Sequence, residues 1–124
     1  SATEMTIAPC PAGYCGYISK IVVPEEYGDA VGSLAVEDYV DVNNSDPALR
    51  NRPIQGLQIL TLGPTGSPST FEGTIYNPED GNTYSGAIEI ISADRVRLKG
   101  CMFKVLCQEE DWTRISAPLL VSSD

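Results

Sequence analysis

The 124-residue chain contains no histidine. That excludes Ser-His-Asp and Cys-His catalysis, every histidine-ligated metal site, and the usual general base near neutral pH. Cations are scarce as well: eight Lys and Arg stand against 17 Asp and Glu, for a formal charge of -9 and a pI near 4.3. Phosphate backbones and anionic membrane surfaces repel such a chain, so nucleic acid is not expected as a partner, and the charge is read first as a source of solubility. No stretch approaches the run of about 20 apolar residues that a membrane-spanning helix needs. Neither a Cys-x-x-Cys pair, nor a glycine-rich phosphate loop, nor a nucleophile motif is present. Catalytic residues are therefore expected to be none, an enzyme is the least expected class, and no metal or cofactor is called for.

What is present begins with four cysteines in two close pairs, Cys10 with Cys15 and Cys101 with Cys107. Four cysteines allow three pairings; the local one is expected, because each pair brackets a short segment able to close on itself. Paired zinc ligands usually stand two to four residues apart, and the gaps of four and five here fit a four-cysteine zinc site poorly. Structural disulfides in an oxidising compartment are the simpler reading, which implies a secreted or periplasmic protein. The start, Ser1-Ala2-Thr3-Glu4, has neither a basic stretch nor an apolar core, and is expected to be the end left after a leader is removed.

Length predicts one domain over residues 1–124. Strand signals fall at Glu4 to Ala8, Tyr17 to Val23, Ile54 to Leu62, Arg95 to Lys99 and Asp111 to Ala117, with no helical period of useful length. Residues Glu25 to Asp46 carry seven acids and no Lys or Arg, and are read as a long exposed excursion with a short element near Leu34 to Val40. The clearest signal is the hairpin Phe71 to Ile91, whose two alternating runs flank Asn77-Pro78-Glu79-Asp80-Gly81-Asn82. Burying Phe71, Gly73 and Ile75 together with Tyr84, Gly86, Ile88 and Ile90 requires a register whose paired residue numbers sum to an odd value, because a one-residue slip inverts a face; a sum of 159 is taken. Ile75 should oppose Tyr84, Gly73 oppose Gly86, and Phe71 oppose Ile88. Facing glycines permit sharp bending or close approach of another backbone. Short antiparallel strands of this kind predict an all-β barrel or sandwich.

The order of motifs adds to this. Pro9-Cys10 through Tyr14-Cys15-Gly16-Tyr17-Ile18 is followed by Asp46-Pro47-Ala48-Leu49-Arg50-Asn51-Arg52-Pro53-Ile54-Gln55-Gly56-Leu57. Then come Gly73-Thr74-Ile75-Tyr76-Asn77-Pro78-Glu79-Asp80-Gly81-Asn82-Thr83-Tyr84, Leu98-Lys99-Gly100-Cys101 and Trp112-Thr113-Arg114. Over nearly its whole length the chain resembles the family called domain of unknown function 2147, small bacterial proteins that are usually exported. The resemblance implies an antiparallel up-and-down lipocalin-like barrel of seven to eight strands with little helix. It also implies, at most, non-catalytic binding of a small apolar or amphipathic ligand. The family pattern opens with a Gly-x-Trp strand that Ser1 to Ile7 lacks, so closure of the barrel is at risk at its first strand. The stretch Pro24 to Val42 is longer than the pattern expects. A second class of function, a structural or protein-interaction module of the cell envelope acting through residues 25–46, rests on that acidic excursion.

Six residues are candidates for ligand contact: Arg50, Arg52, Tyr76, Tyr84, Trp112 and Arg114. The two early arginines form a fork suited to a carboxylate or phosphate, or pair internally with Asp46 or other acids. Tyr76 and Tyr84 flank the Asp-Gly turn, and either line a barrel mouth or pack with an exposed hydroxyl. Trp112 and Arg114 share a strand face, and the resemblance assigns the arginine to covering a barrel end. The basic row Arg95, Arg97 and Lys99 is expected to be solvated or paired with acids such as Glu89 on a neighbouring strand. Asp41-Val42-Asn43-Asn44-Ser45-Asp46 starts like a calcium loop, but Asp46 replaces the sixth-position Gly and Arg52 the twelfth-position Glu, which excludes an EF-hand.

Overall fold

Every strand carries backbone N–H and C=O groups along both edges that need partners, and the chain meets that need by closing on itself. The computed structural model describes residues 2–22, 39–102, 106–116 and 119–122. Eight antiparallel strands form a closed barrel in chain order: β1 (Ala2–Cys10), β2 (Gly13–Val22), β3 (Gln58–Pro64), β4 (Thr70–Asn77), β5 (Asn82–Ser92), β6 (Arg95–Met102), β7 (Leu106–Ser116) and β8 (Leu119–Ser122). The only helix among the described residues is a 3-10 turn, Pro47–Leu49, whose start is capped by Asp46 accepting from the Ala48 amide. Most of the acidic excursion, including residues 34–38 of the element expected at 34–40, lies outside the described residues.

Closure holds at the first strand. β1 pairs with β2 along its length and with β8 through Glu4–Val121, Met5–Leu120 and Thr6–Leu119. The first strand contributes to the core without a Trp, since Met5 is fully buried in the cluster that holds Leu60. Gly16 on β2 makes that contact possible: a Cβ there would stand 2.9 Å from both Leu60 Cδ1 and Met5 Sδ. Bulges at Glu4/Met5, Gly16/Tyr17, Ile90/Ser92 and Arg114/Ser116 add the local twist that curls the sheet.

The β4–β5 hairpin adopts the expected register, with Ile75 opposite Tyr84, Gly73 opposite Gly86 and Phe71 opposite Ile88. The glycine pair extends one strand further, since Gly86 also opposes Gly100 on β6. Bare backbone at these rungs serves close approach. A Cβ on Gly73 would lie 1.8 Å from the Thr61 carbonyl oxygen, and one on Gly86 would lie 2.4 Å from Ile75 Cγ1.

Several strands depart from the sequence expectation: β1, β2 and β6 run longer than expected, and three further differences have a clear cause. Ile54 and Leu57 are not in β3: Gly56 takes a φ of +83°, and the chain turns there, with the Gly56 amide donating to Ile18 O at 2.6 Å and the Ile18 amide to Leu57 O at 2.9 Å. Their apolar side chains instead pack on Ile18 in a small cluster with Tyr39 and Tyr76. β7 starts at Leu106, five residues before the expected Asp111, because its polar first half is held by the ladder to β6. β8 is too short to show alternation, and the sequence does not announce it.

Both disulfides form in the local pairing, with Cα separations of 5.8 Å for Cys10–Cys15 and 4.0 Å for Cys101–Cys107. The first spans the β1–β2 turn. The second joins direct register partners across β6 and β7.

Candidate functional site

The barrel interior divides by what fills it. Its middle is built from Met5, Leu60 and Leu62, each at most 1% exposed, together with Ile88 and Leu98. Burying each of these side chains stabilises the fold by roughly 1.5–3 kcal/mol. One end is closed by residues 39–57 folded over the small Ile18 cluster. The other end carries the β1–β2, β3–β4 and β5–β6 turns. There Ile7, Phe71 and Val96 are half-buried and Ile90 is exposed, and Tyr14 meets Phe71 edge-on with ring centroids 5.3 Å apart.

Trp112 belongs to this interior. Its β7 position opposes Val96, which in turn opposes Ile90, so the three share one rung leading to the apolar rim. The indole is 4% exposed, and its Nε1 is buried with no acceptor among the described residues. An unsatisfied buried donor costs about 1–3 kcal/mol, so it marks a position where another requirement prevails. Arg114, two residues on, is exposed and has no side-chain partner among the described residues; its amide donates to Asp94 O at 2.8 Å. The arginine that does stack on an aromatic ring is Arg52, 5.2 Å from the Tyr76 centroid.

The closed end is organised by Asp41, which the sequence presents as one acid among many. Its carboxylate is fully buried and accepts from Arg52 Nε at 2.9 Å, Asn44 Nδ2 at 2.9 Å and the Tyr76 hydroxyl at 2.7 Å. Burial pushes the Asp41 carboxyl up. The bonds from Asn44, Tyr76 and Arg52 and the guanidinium charge pull it further down, so it lies below the usual aspartate value. Tyr76 is raised by burial and by donating to that carboxylate. Arg50 donates through Nε to Asn44 O at 2.8 Å, and Asn44 Oδ1 accepts from the Asp46 amide. Asn43 reaches the carbonyls of Pro78 and Glu79, which ties this segment to the β4–β5 turn. Thus Arg50, Arg52 and Tyr76 come together in one clasp. Tyr84 stands apart, donating to Asp80 in its own turn, and Trp112 lies with the interior cluster rather than in the clasp.

On the outer surface two cations of the basic row, Arg95 and Arg97, pair across strands. Arg97 donates to Asp111 at 2.9 Å, and Arg95 lies 4.0 Å from the same carboxylate. The hydrogen bond with Arg97 lowers Asp111 and raises Arg97. Among the described residues, no three His, Cys, Asp or Glu side chains gather as ligands for an ion. No helix there is long and apolar enough to cross a membrane, which says nothing of strands.

Comparison with known proteins agrees with this architecture. The solved structure of protein HP1028 from the human pathogen Helicobacter pylori, described as belonging to the lipocalin family, superposes with a TM-score of 0.69. The match covers 94% of this chain and 82% of that one at 19% identity, a likeness of fold. No curated protein matches the chain. The model of the family described as "Uncharacterized protein conserved in bacteria (DUF2147)" matches residues 1–114. With its eight-stranded lipocalin-like barrel and two local disulfides, the chain belongs to that bacterial family.

Proposed function

We propose that this protein binds a small, partly apolar ligand without transforming it. The ligand enters at the end framed by Ile7, Tyr14, Phe71 and Ile90 and offers one hydrogen-bond acceptor to Trp112. The observation that carries this reading is the buried, unsatisfied Trp112 Nε1. A donor held inside an apolar barrel recovers its lost hydrogen bond when an acceptor arrives with a body that fits the surrounding side chains. Barrels that enclose ligands use this division of labour, with apolar lining for affinity and few polar groups for orientation. The two disulfides support a site of action outside the cytoplasm, secreted or periplasmic.

Trp112 is the only tryptophan, so intrinsic tryptophan fluorescence reports this position alone. Titration with methyl decanoate, a neutral acceptor on an apolar chain, should give a saturable change in emission and a one-to-one complex in native mass spectrometry. Trp112→Phe keeps the apolar surface and removes the donor; it should weaken the complex about fivefold, the worth of roughly one net hydrogen bond. If methyl decanoate produces neither a saturable change nor a bound species, the proposal fails.

A further inference from the structure

The outer wall of β4, β5 and β6 carries an open groove of about 590 Å³. Its floor lies on the glycine rungs, where Ser85 and Ala87 add little bulk. Glu72 and Lys99 border it, and the Cys101–Cys107 disulfide forms one wall. Glu72, Ala87 and Lys99 are successive register partners, which sets the two charged residues about 10 Å apart, two strand spacings. Neither Glu72 nor Lys99 makes an ion pair among the described residues.

From this arrangement we infer that the groove is a docking site for a low-molecular-weight thiol bearing both an amino and a carboxylate group, and that the thiol exchanges with the Cys101–Cys107 disulfide. Lys99 faces the carboxylate of such a molecule and favours its thiolate, while Glu72 faces its ammonium; Glu109, the register neighbour of Lys99 on β7, tempers the local positive charge. Cys107 is exposed and Cys101 half-buried. The incoming thiolate attacks Cys107 Sγ, a new S–S bond forms to the thiol, the Cys101–Cys107 bond breaks, and its electron pair leaves on Cys101 as thiolate. A second equivalent of thiol releases the oxidised thiol dimer and leaves a protein dithiol, so two thiols are oxidised as one protein disulfide is reduced. The ladder from Arg95–Thr113 to Met102–Leu106 keeps the two cysteines adjacent in either state, so the bond can re-form. In the other pair Cys15 is only 4% exposed and Cys10 half-buried, so neither sulfur is as open to attack as Cys107.

The test uses the folded, oxidised protein and reduced glutathione, quenched with an alkylating agent and mapped by peptide mass. The expected result is a mixed disulfide on Cys107 with Cys101 alkylated, appearing roughly tenfold faster than opening of Cys10–Cys15. The rate should saturate with glutathione but stay linear with 2-mercaptoethanol, which lacks both charges. Lys99→Gln should slow the glutathione reaction about threefold, more than the 2-mercaptoethanol reaction, and circular dichroism should not change on reduction. A linear glutathione rate insensitive to Lys99→Gln would reduce the feature to an exposed disulfide and overturn the proposal. So would earlier opening of Cys10–Cys15, or loss of the barrel on reduction.

Discussion

Burying one carboxylate in a chain that is already strongly acidic calls for compensation, and at Asp41 three donors supply it. Asp41→Asn keeps the shape and removes the charge that orders Arg52 and Tyr76; chemical denaturation should show a loss of about 2 kcal/mol, with Tyr76→Phe costing about 1 kcal/mol. The pH dependence has a definite sign. The folded carboxyl titrates below the unfolded one, so its stabilisation is fully present above the ordinary aspartate pKa and disappears as pH falls through the depressed folded value. Between neutral pH and strong acid, the wild type should therefore lose more stability than Asp41→Asn, which has no such group to protonate; parallel acid titration curves for the two would refute this. The sequence makes Arg52 legible as a cation in search of an acid. It does not make Asp41 legible, because seven acids in one stretch look alike until the backbone of residues 39–57 folds across the barrel end.

At the scale of the element, the β4–β5 hairpin is readable because parity decides which side chains share a face. Parity excludes every one-residue slip, and among the registers it leaves the hairpin takes the one that sets Phe71 opposite Ile88 and Ile75 opposite Tyr84. Gly73→Val places a branched side chain against the Thr61 carbonyl, and thermal unfolding should show a loss of at least about 2 kcal/mol. Parity has nothing to say where pairing rather than patterning makes the strand. Gln108, Glu109 and Glu110 become strand only because Gly100, Lys99 and Leu98 pair with them. Ile54 to Leu57 fails in the opposite way: its apolar residues read as strand, but they are buried from a turn that Gly56 makes possible. The Cys101–Cys107 loop is short, so replacing both cysteines with serine should lower stability by only about 2 kcal/mol and leave the barrel intact by circular dichroism.

For the whole molecule, closure removes the open edges that an eight-stranded sheet would otherwise present for aggregation. The seam is uneven. β1 and β8 share three register pairs among the described residues, whereas β4 and β5 share eight. Amide hydrogen exchange should therefore run fastest along Glu4 to Thr6 and Leu119 to Val121, and slowest across Thr70 to Asn77; uniform protection around the barrel would contradict this. The all-β class and the disulfide pairing are legible because they depend on local spacing, whereas the choice of barrel over sandwich rests on the family resemblance. The Trp112 donor without an acceptor is not, since satisfaction of a buried group depends on everything around it.

The glycine rungs also tie the fate of one residue to that of another. Ile75 occupies the volume a side chain on Gly86 would need, and its Cδ1 reaches across β5 to within 3.4 Å of the Cβ position of Gly100 on β6. The three positions thus share one fixed volume, and mutations there should behave as trades rather than as separate injuries. Gly86→Ala alone forces Ile75 aside, and Ile75→Ala alone leaves a hole. Combined, each change makes room for or fills what the other disturbs, and the double variant should be more stable than the sum of the two losses implies, by about 1 kcal/mol or more. Through such a swap a lineage moves the bulk from β4 to β5 at less cost than the two separate losses imply.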